Sequence, residues 1–335
     1  LKPFVLAVAG VLVASIAWAI APEVLSPVRS IPPEIAGRFR DARGFQQSAS
    51  GQFFVFDRRA HEVWGVDAQM GSTWEIVQIG QEPGRIIDPT AFAVAPDGTF
   101  VVADAPRGLA RIQAFTPAGF RTAGFLLQQS VRPRITIDSV VISGIGSLQY
   151  TGSSVLLSQP EHGSLIAEYT LGGEPKRAIG NLRATGHESD PDVHIALNSG
   201  IPVIAPDGSI YYVFQAGPPV FRKYDAGGRL LFERQIQGLE IDPIVAALPS
   251  SWPRHPLDGE LPLVRPNVRA AAADREGRLW IAFDAGFTYV FDADGDRIRT
   301  VQLRGAGAVS PTTMAFGPGG RLLVTPGLHE YDVAQ

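Results

Sequence analysis

Six segments of this chain pair a β-type run with a glycine turn, and that repeat constrains the fold more than any other feature. They are FQQSASGQFFVFD (45–57), AFAVAPDGTFVVAD (91–104), SLQYTGSSVLLSQ (147–159), PVIAPDGSIYYVFQ (202–215), RAAAADREGRLWIAFD (269–284) and TTMAFGPGGRLLVTP (312–326). Their turn glycines, Gly51, Gly98, Gly152, Gly208, Gly277 and Gly320, are 47, 54, 56, 69 and 43 residues apart. A second turn glycine follows in five of them, Gly71, Gly119, Gly173, Gly228 and Gly295, at 20, 21, 21, 20 and 18 residues. Near-constant offsets inside variable periods describe a rigid unit joined by connections of different length.

Each unit reads as four short strands: an inner one, a tight turn that needs positive φ, a run of β-branched and aromatic residues, a third strand such as ARIQAFT (110–116), then a second turn and an outer strand. Strands at this density, with no convincing amphipathic helix between them, predict an all-β six-bladed β-propeller. The 36 Gly and 27 Pro exceed ordinary usage and argue against a helical bundle. With 45% hydrophobic and 19% charged residues the chain must bury a core. A net charge of -4 gives no footprint for nucleic acid. The absence of cysteine removes disulfides, thiolate metal sites and a thiol nucleophile.

The second unit, DPTAFAVAPDGTFVVADAPRGLARIQAFTPAGF (88–120), resembles the NHL repeat family of propellers through its D-G turn, V-V-A-D, R-I-Q-x-F and Pro/Gly turn. The fifth (271–298) is recognisable, whereas the third and fourth lack the R-I-Q element. The resemblance implies the fold and a binding or scaffolding role, in a family that also contains enzymes.

Pro3 to Pro22 carries no charged side chain and follows Lys2, which reads as a single transmembrane helix or a signal segment (1–22). Phe4 to Ala21, at about 1.5 Å per helical residue, nearly matches a hydrocarbon core. Phe4, Leu12 and Ile16 would face lipid, and Trp18 would sit at the interface; Ala17-Trp18-Ala19 is the competing cleavage site. Either way the globular part is expected on the periplasmic or other extracytoplasmic side. Residues 23–32, with two prolines at positions 27 and 32, read as a stalk, and 33–335 as the propeller. The last unit lacks an outer strand, so residues 33–40 (PEIAGRFR) are expected to supply it and close the ring.

Connections between blades emerge on one face, and the longest, 238–266, holds Trp252, Arg254 and His255. It reads as packing against the ring or as a partner contact, with Arg132 and Arg134 on another such loop as further contact candidates. Polar residues near the start of the inner strands, Asp41, Asp88, Asn198 and Asn267, are candidate oxygen ligands for Ca²⁺.

 The set is Asp41, Asp88, Asn198 and Asn267, and its arrangement is similar to that of calcium-dependent lactonases of the gluconolactonase type. Capping of strand ends is the competing reading for all four. The cluster His187-Glu188-Ser189-Asp190-Pro191-Asp192-Val193-His194 lacks H-E-x-x-H spacing and reads as a solvated loop. Asp104 and Arg111 are expected to pair across neighbouring strands. No cofactor motif is present, and neither a G-x-S-x-G nor a Walker A loop occurs. The sequence therefore predicts a membrane-anchored, non-catalytic scaffold or accessory subunit of a larger membrane complex, in contact with the bilayer through its N-terminal helix. The alternatives are a metal-dependent lactonase-like hydrolase and a soluble periplasmic ligand-binding propeller.

Overall fold

The second strand of every repeat is apolar on both sides, and a strand of that kind must be covered on both faces. In the computed structural model, which describes residues 22–130, 133–137, 140–143, 145–254 and 261–334, this is the arrangement seen. All residues of Phe53–Asp57, Phe100–Asp104, Ser154–Ser158, Ile210–Phe214, Leu279–Phe283 and Leu322–Thr325 are buried. Each strand lies second in an antiparallel sheet, and six sheets form the blades of a propeller. Blade 1 runs from Ala42–Gln47 to Thr73–Val77, blade 2 from Ala91–Val94 to Arg121–Ser130, and blade 3 from Leu148–Tyr150 to Pro175–Asn181. Blade 4 runs from Gly200–Ile204 to Leu230–Gln235, blade 5 from Val268–Ala273 to Arg297–Arg304, and blade 6 starts at Thr313–Phe316.

Alternation along the second strands divides the core into six parcels, one between each pair of neighbouring blades. Phe53 and Val55 enter the parcel shared with blade 6, while Phe54 and Phe56 enter the one shared with blade 2. Phe100 and Val102 meet the latter from the other side, and Val101 and Ala103 turn toward blade 3. Phe56 stacks on Phe92 at 5.4 Å between centroids and Phe100 on Phe115 at 5.1 Å, the offset geometry that aromatic pairs favour.

All six first-turn glycines take positive φ, between 75° and 91°. Of the second-turn positions, Gly119, Gly173, Gly228 and Gly295 do the same, but in blade 1 Met70 takes it (φ 60°) and not Gly71. That turn is one residue longer: Asp67 bonds to Ser72, whereas Thr116 bonds to Phe120 in blade 2. The Met70 side chain is buried in the parcel between blades 6 and 1, which offsets the backbone strain.

The ring closes differently from the sequence-based expectation. Pro27–Ser30, not 33–40, pairs antiparallel with the last strand, His329–Tyr331, and supplies the fourth strand of blade 6. Residues 23–32 are not a free stalk either, because Glu23–Leu25 adds in parallel to Arg297–Arg304 at the edge of blade 5. The reason lies in the prolines. Pro33 sits in the first turn of a short helix, α1 (Pro33–Ala36), where its fixed φ suits a helix, and Ile35 of α1 is buried. Pro27 lies at the start of an edge strand, the position in a sheet that tolerates its missing N–H. The seam carries two ion pairs, Glu23 with Arg299 at 2.6 Å and Arg29 with Glu330 at 2.8 Å. Leu25 and Ile31 are 4% and 3% exposed, so the seam is also packed.

His329 belongs to this seam. Its Nδ1 lies 2.7 Å from Ser30 Oγ, and burial holds its pKa below the usual 6.5. The folded state therefore favours the neutral ring. Its contribution is full above about pH 6.5 and declines as the pH falls from there through the lowered folded value. The thermal midpoint should fall over that window, and His329→Gln should reduce the fall, as followed by circular dichroism melts from pH 7.5 to 5.

Candidate functional site on the entry face

Inner strands begin, and second strands end, on one face of the ring, here termed the entry face. An acid at the end of the second strand organises it locally. Asp57 accepts hydrogen bonds from the backbone N–H groups of Arg40 (2.6 Å), Asp41 (3.1 Å) and Ala60 (3.0 Å), tying the incoming chain to the next turn. Asp104 does the equivalent in blade 2, accepting from Ile87 N–H at 3.0 Å. It also holds Arg111, directly opposite it in the sheet, through two bonds of 2.8 and 2.5 Å. Arg111 in turn donates to the carbonyls of Gln81 (2.8 Å) and Arg85 (2.9 Å), and Gln113 donates to Arg85 O at 2.8 Å. The R-I-Q element thus clamps the loop between blades 1 and 2. Burial raises the Asp104 pKa, with Arg111 and the Ile87 amide opposing it.

The connections above blades 3 to 5 interlock. Asp190 caps α2 (Pro191–Asn198), its carboxylate accepting from Val193 N–H at 3.4 Å. Glu188 accepts from the Thr185 and Gly186 amides at 2.7 and 3.2 Å, and His194 Nδ1 meets Thr185 Oγ1 at 2.7 Å. The 187–194 cluster therefore builds a helix entry. Among the described residues no group of three or more His, Asp or Glu side chains is placed to hold a metal.

The 238–266 insertion folds back on α2. It contains α3 (Asp242–Ala246), and Trp252 packs against a small core of Val193, Ala196, Leu197, Ala216 and Val264. Arg254 pairs with Asp190 of the α2 cap while its side chain stays partly exposed. Glu240 accepts a 2.5 Å bond from Tyr289 and lies 3.7 Å from Arg297, anchoring the insertion to blade 5. Trp252 and Arg254 thus both make intramolecular contacts. Arg134 lies in the strand Pro133–Ile137. Arg132, His255, Phe4, Leu12, Ile16 and Trp18 lie outside the described residues.

Sequence reasoning missed Arg183, which joins these parts. Its guanidinium donates to the carbonyls of Leu197 (2.9 Å), Ala216 (2.6 Å) and Pro218 (3.0 Å) and lies 4.1 Å from the Phe214 ring centroid. Burial lowers its pKa to about 10, so it remains charged at neutral pH. A cation bonded to the Leu197 carbonyl in the last turn of α2 complements the helix C-terminus. No spacing rule singles out such a residue, because its partners come from two segments distant in sequence, Leu197 of α2 and residues 214–218 of blade 4.

The four candidate oxygen ligands have separate partners and none bonds to another. Asp41 lies between Arg43 (2.8 Å) and Arg58 (2.9 Å). Asn198 accepts from Arg183 N–H at 2.8 Å and donates to His194 O at 3.0 Å. Asn267 donates to Gly217 O at 2.6 Å, while its buried Oδ1 has no hydrogen-bond partner. Asp88 has a 70% exposed side chain, 3.7 Å from His61 Nε2, and both residues have positive φ. At the entry end of blade 5's inner strand, Arg269 pairs with Asp284. The mouth is thus lined by arginine–carboxylate pairs, an arrangement suited to recognition by charge.

No known protein family and no curated protein matches the chain by sequence. Solved structures do match in shape. A virginiamycin B lyase from Staphylococcus aureus has a TM-score of 0.50 and 12% identity, covering 85% of this chain and 77% of its own. A streptogramin B lyase has a TM-score of 0.50 and 13% identity, covering 86% and 91%. At such identities the likeness establishes the propeller fold alone.

Removing Asp104 would leave Arg111 buried without its counter-charge. Asp104→Ala should destabilise the protein by about 3–5 kcal/mol. Urea unfolding would check this, with Asp104→Asn expected to lose less because a carboxamide still accepts hydrogen bonds.

Proposed function

We propose that this chain is a non-catalytic binding propeller of NHL-like type, held at the extracytoplasmic face of a membrane by the 1–22 segment as an accessory subunit of a larger membrane complex. The observation that supports this most is the ring closure. The first strand starts at Glu23, immediately after the apolar segment, and is fixed to blade 5, while Pro27–Ser30 is fixed to blade 6. A helix in the bilayer would then hold the edge of these two blades at the membrane surface. Val24 and Val28, on those strands, are 48% and 51% exposed and fit an interfacial position.

Binding is favoured over metal-dependent hydrolysis because the candidate oxygen ligands are engaged separately by protein partners. The entry face, with its arginine–carboxylate mouth and the exposed side of the insertion, would point to the partner, with Arg132, Arg134, Arg254 and His255 as contact candidates.

The chain has no cysteine, so a single introduced thiol can be labelled cleanly. A fluorophore at Val28→Cys in the full chain, reconstituted in liposomes, should be quenched by lipids carrying a headgroup-level quencher, whereas one at the exposed Glu276→Cys should not. Equal quenching at the two sites, or none, would overturn the membrane-edge placement.

A further inference from the structure

A groove of about 920 Å³ lies at the junction between blades 1 and 2, bounded by the connection between them and by the turn after the second strand of blade 2. Its volume falls in the range of small-molecule sites. One wall is the 81–83 loop, the segment that Arg111 and Gln113 clamp to blade 2, so this wall is rigid. The opposite wall is the outer strand Arg121–Ser130, which presents Leu126, while the Phe125 ring turns to the other side and packs on Tyr169 of blade 3. Leu109 completes the apolar surface; Leu109 and Leu126 are 43% and 55% exposed. Gly124 lets this strand approach its neighbour closely, since a Cβ there would come within 2.6 Å of the Ile112 carbonyl oxygen.

The rim is cationic. Arg107 and Arg121 are exposed, and among the described residues neither has a carboxylate partner. Arg107 makes a 3.2 Å bond to Gln81 Oε1, and Arg121 a long 3.4 Å contact to Gly124 O. The third arginine, Arg111, is neutralised by Asp104, and Glu82 is the one carboxylate among the described lining residues. Two arginines against one glutamate leave the groove net positive.

Arg107 also occupies a conformation that disfavours it. Its φ is 56°, in the turn between second and third strands, immediately before Gly108 at φ 75°. A side chain held there against the backbone preference is an observed outlier of the kind that marks binding sites.

We propose that this groove binds a small amphipathic anion: an apolar chain or ring carrying a single carboxylate or comparable head. The apolar body lies along Leu109 and Leu126, and the anionic head is held by Arg107 and Arg121. This inference does not depend on the membrane reading, since it concerns a different pair of blades.

Sodium dodecanoate below its micellar concentration is the probe, measured by titration calorimetry against the full chain, with methyl dodecanoate as the uncharged control. Dodecanoate should bind one per chain and the ester at least tenfold more weakly. Arg107→Gly should melt no lower than the parent, because it relieves the backbone strain, yet lose at least fivefold in affinity; Leu126→Asp should abolish binding. Unchanged affinity in both Arg107→Gly and Arg121→Gln would overturn the proposal, as would equal binding of acid and ester. Binding to phosphatidylglycerol vesicles without binding of free dodecanoate would also overturn it, since the surface would then be reading a lipid bilayer.

Discussion

The pairing of Pro27–Ser30 with His329–Tyr331 is the contact on which the rest of the ring depends. Each of the six apolar parcels is shared between neighbouring blades, so every blade needs a neighbour on both sides. Without the seam, the last sheet would end in an open edge, and the parcel between blades 6 and 1 would rest on side-chain contacts alone. The seam brings together residues about as far apart in sequence as the chain allows, as Arg29 and Glu330 show with a separation of 301. Loop-closure entropy opposes such a contact only weakly once the intervening blades are formed, because its cost grows with the logarithm of loop length.

Most polar residues on the entry face work on behalf of the ring. Asp57 and Asp104 bind the amides of incoming loops, Asn198 and Arg183 join α2 to blade 4, and Asp190 caps a helix while pairing with Arg254 of the insertion. A buried or half-buried acid beside a cation is thus weak evidence of chemistry in this fold. What remains for recognition is the exposed surface: the arginine–carboxylate mouth, the outer side of the insertion, and the groove beside blade 2.

The blades were legible in the sequence because two physical requirements leave marks. Tight turns ask for positive φ, which six glycines provide in the first turns, and strands covered on both faces ask for unbroken apolar runs such as FFVF at 53–56. The Asp104–Arg111 pair was legible as well, since its residues lie opposite one another in adjacent strands. The closing segment is 27–30 and not 33–40 because an edge strand accommodates Pro27, which leaves 23–32 free to pair and not to form a stalk, while Pro33 starts a helical turn. Arg183 and the fold of the insertion were invisible because their contacts are tertiary: Trp252 finds its core on α2, more than fifty residues earlier.

Hydrogen exchange of the full chain tests the closure most directly. If the seam is formed, the inward-pointing amides of 28–31, above all Ile31 N–H bonded to Leu328 O at 3.1 Å, should be protected far beyond the level of an unstructured chain. Exchange of 28–31 at the rate of an unstructured chain, while the inner strands stay protected, would contradict it.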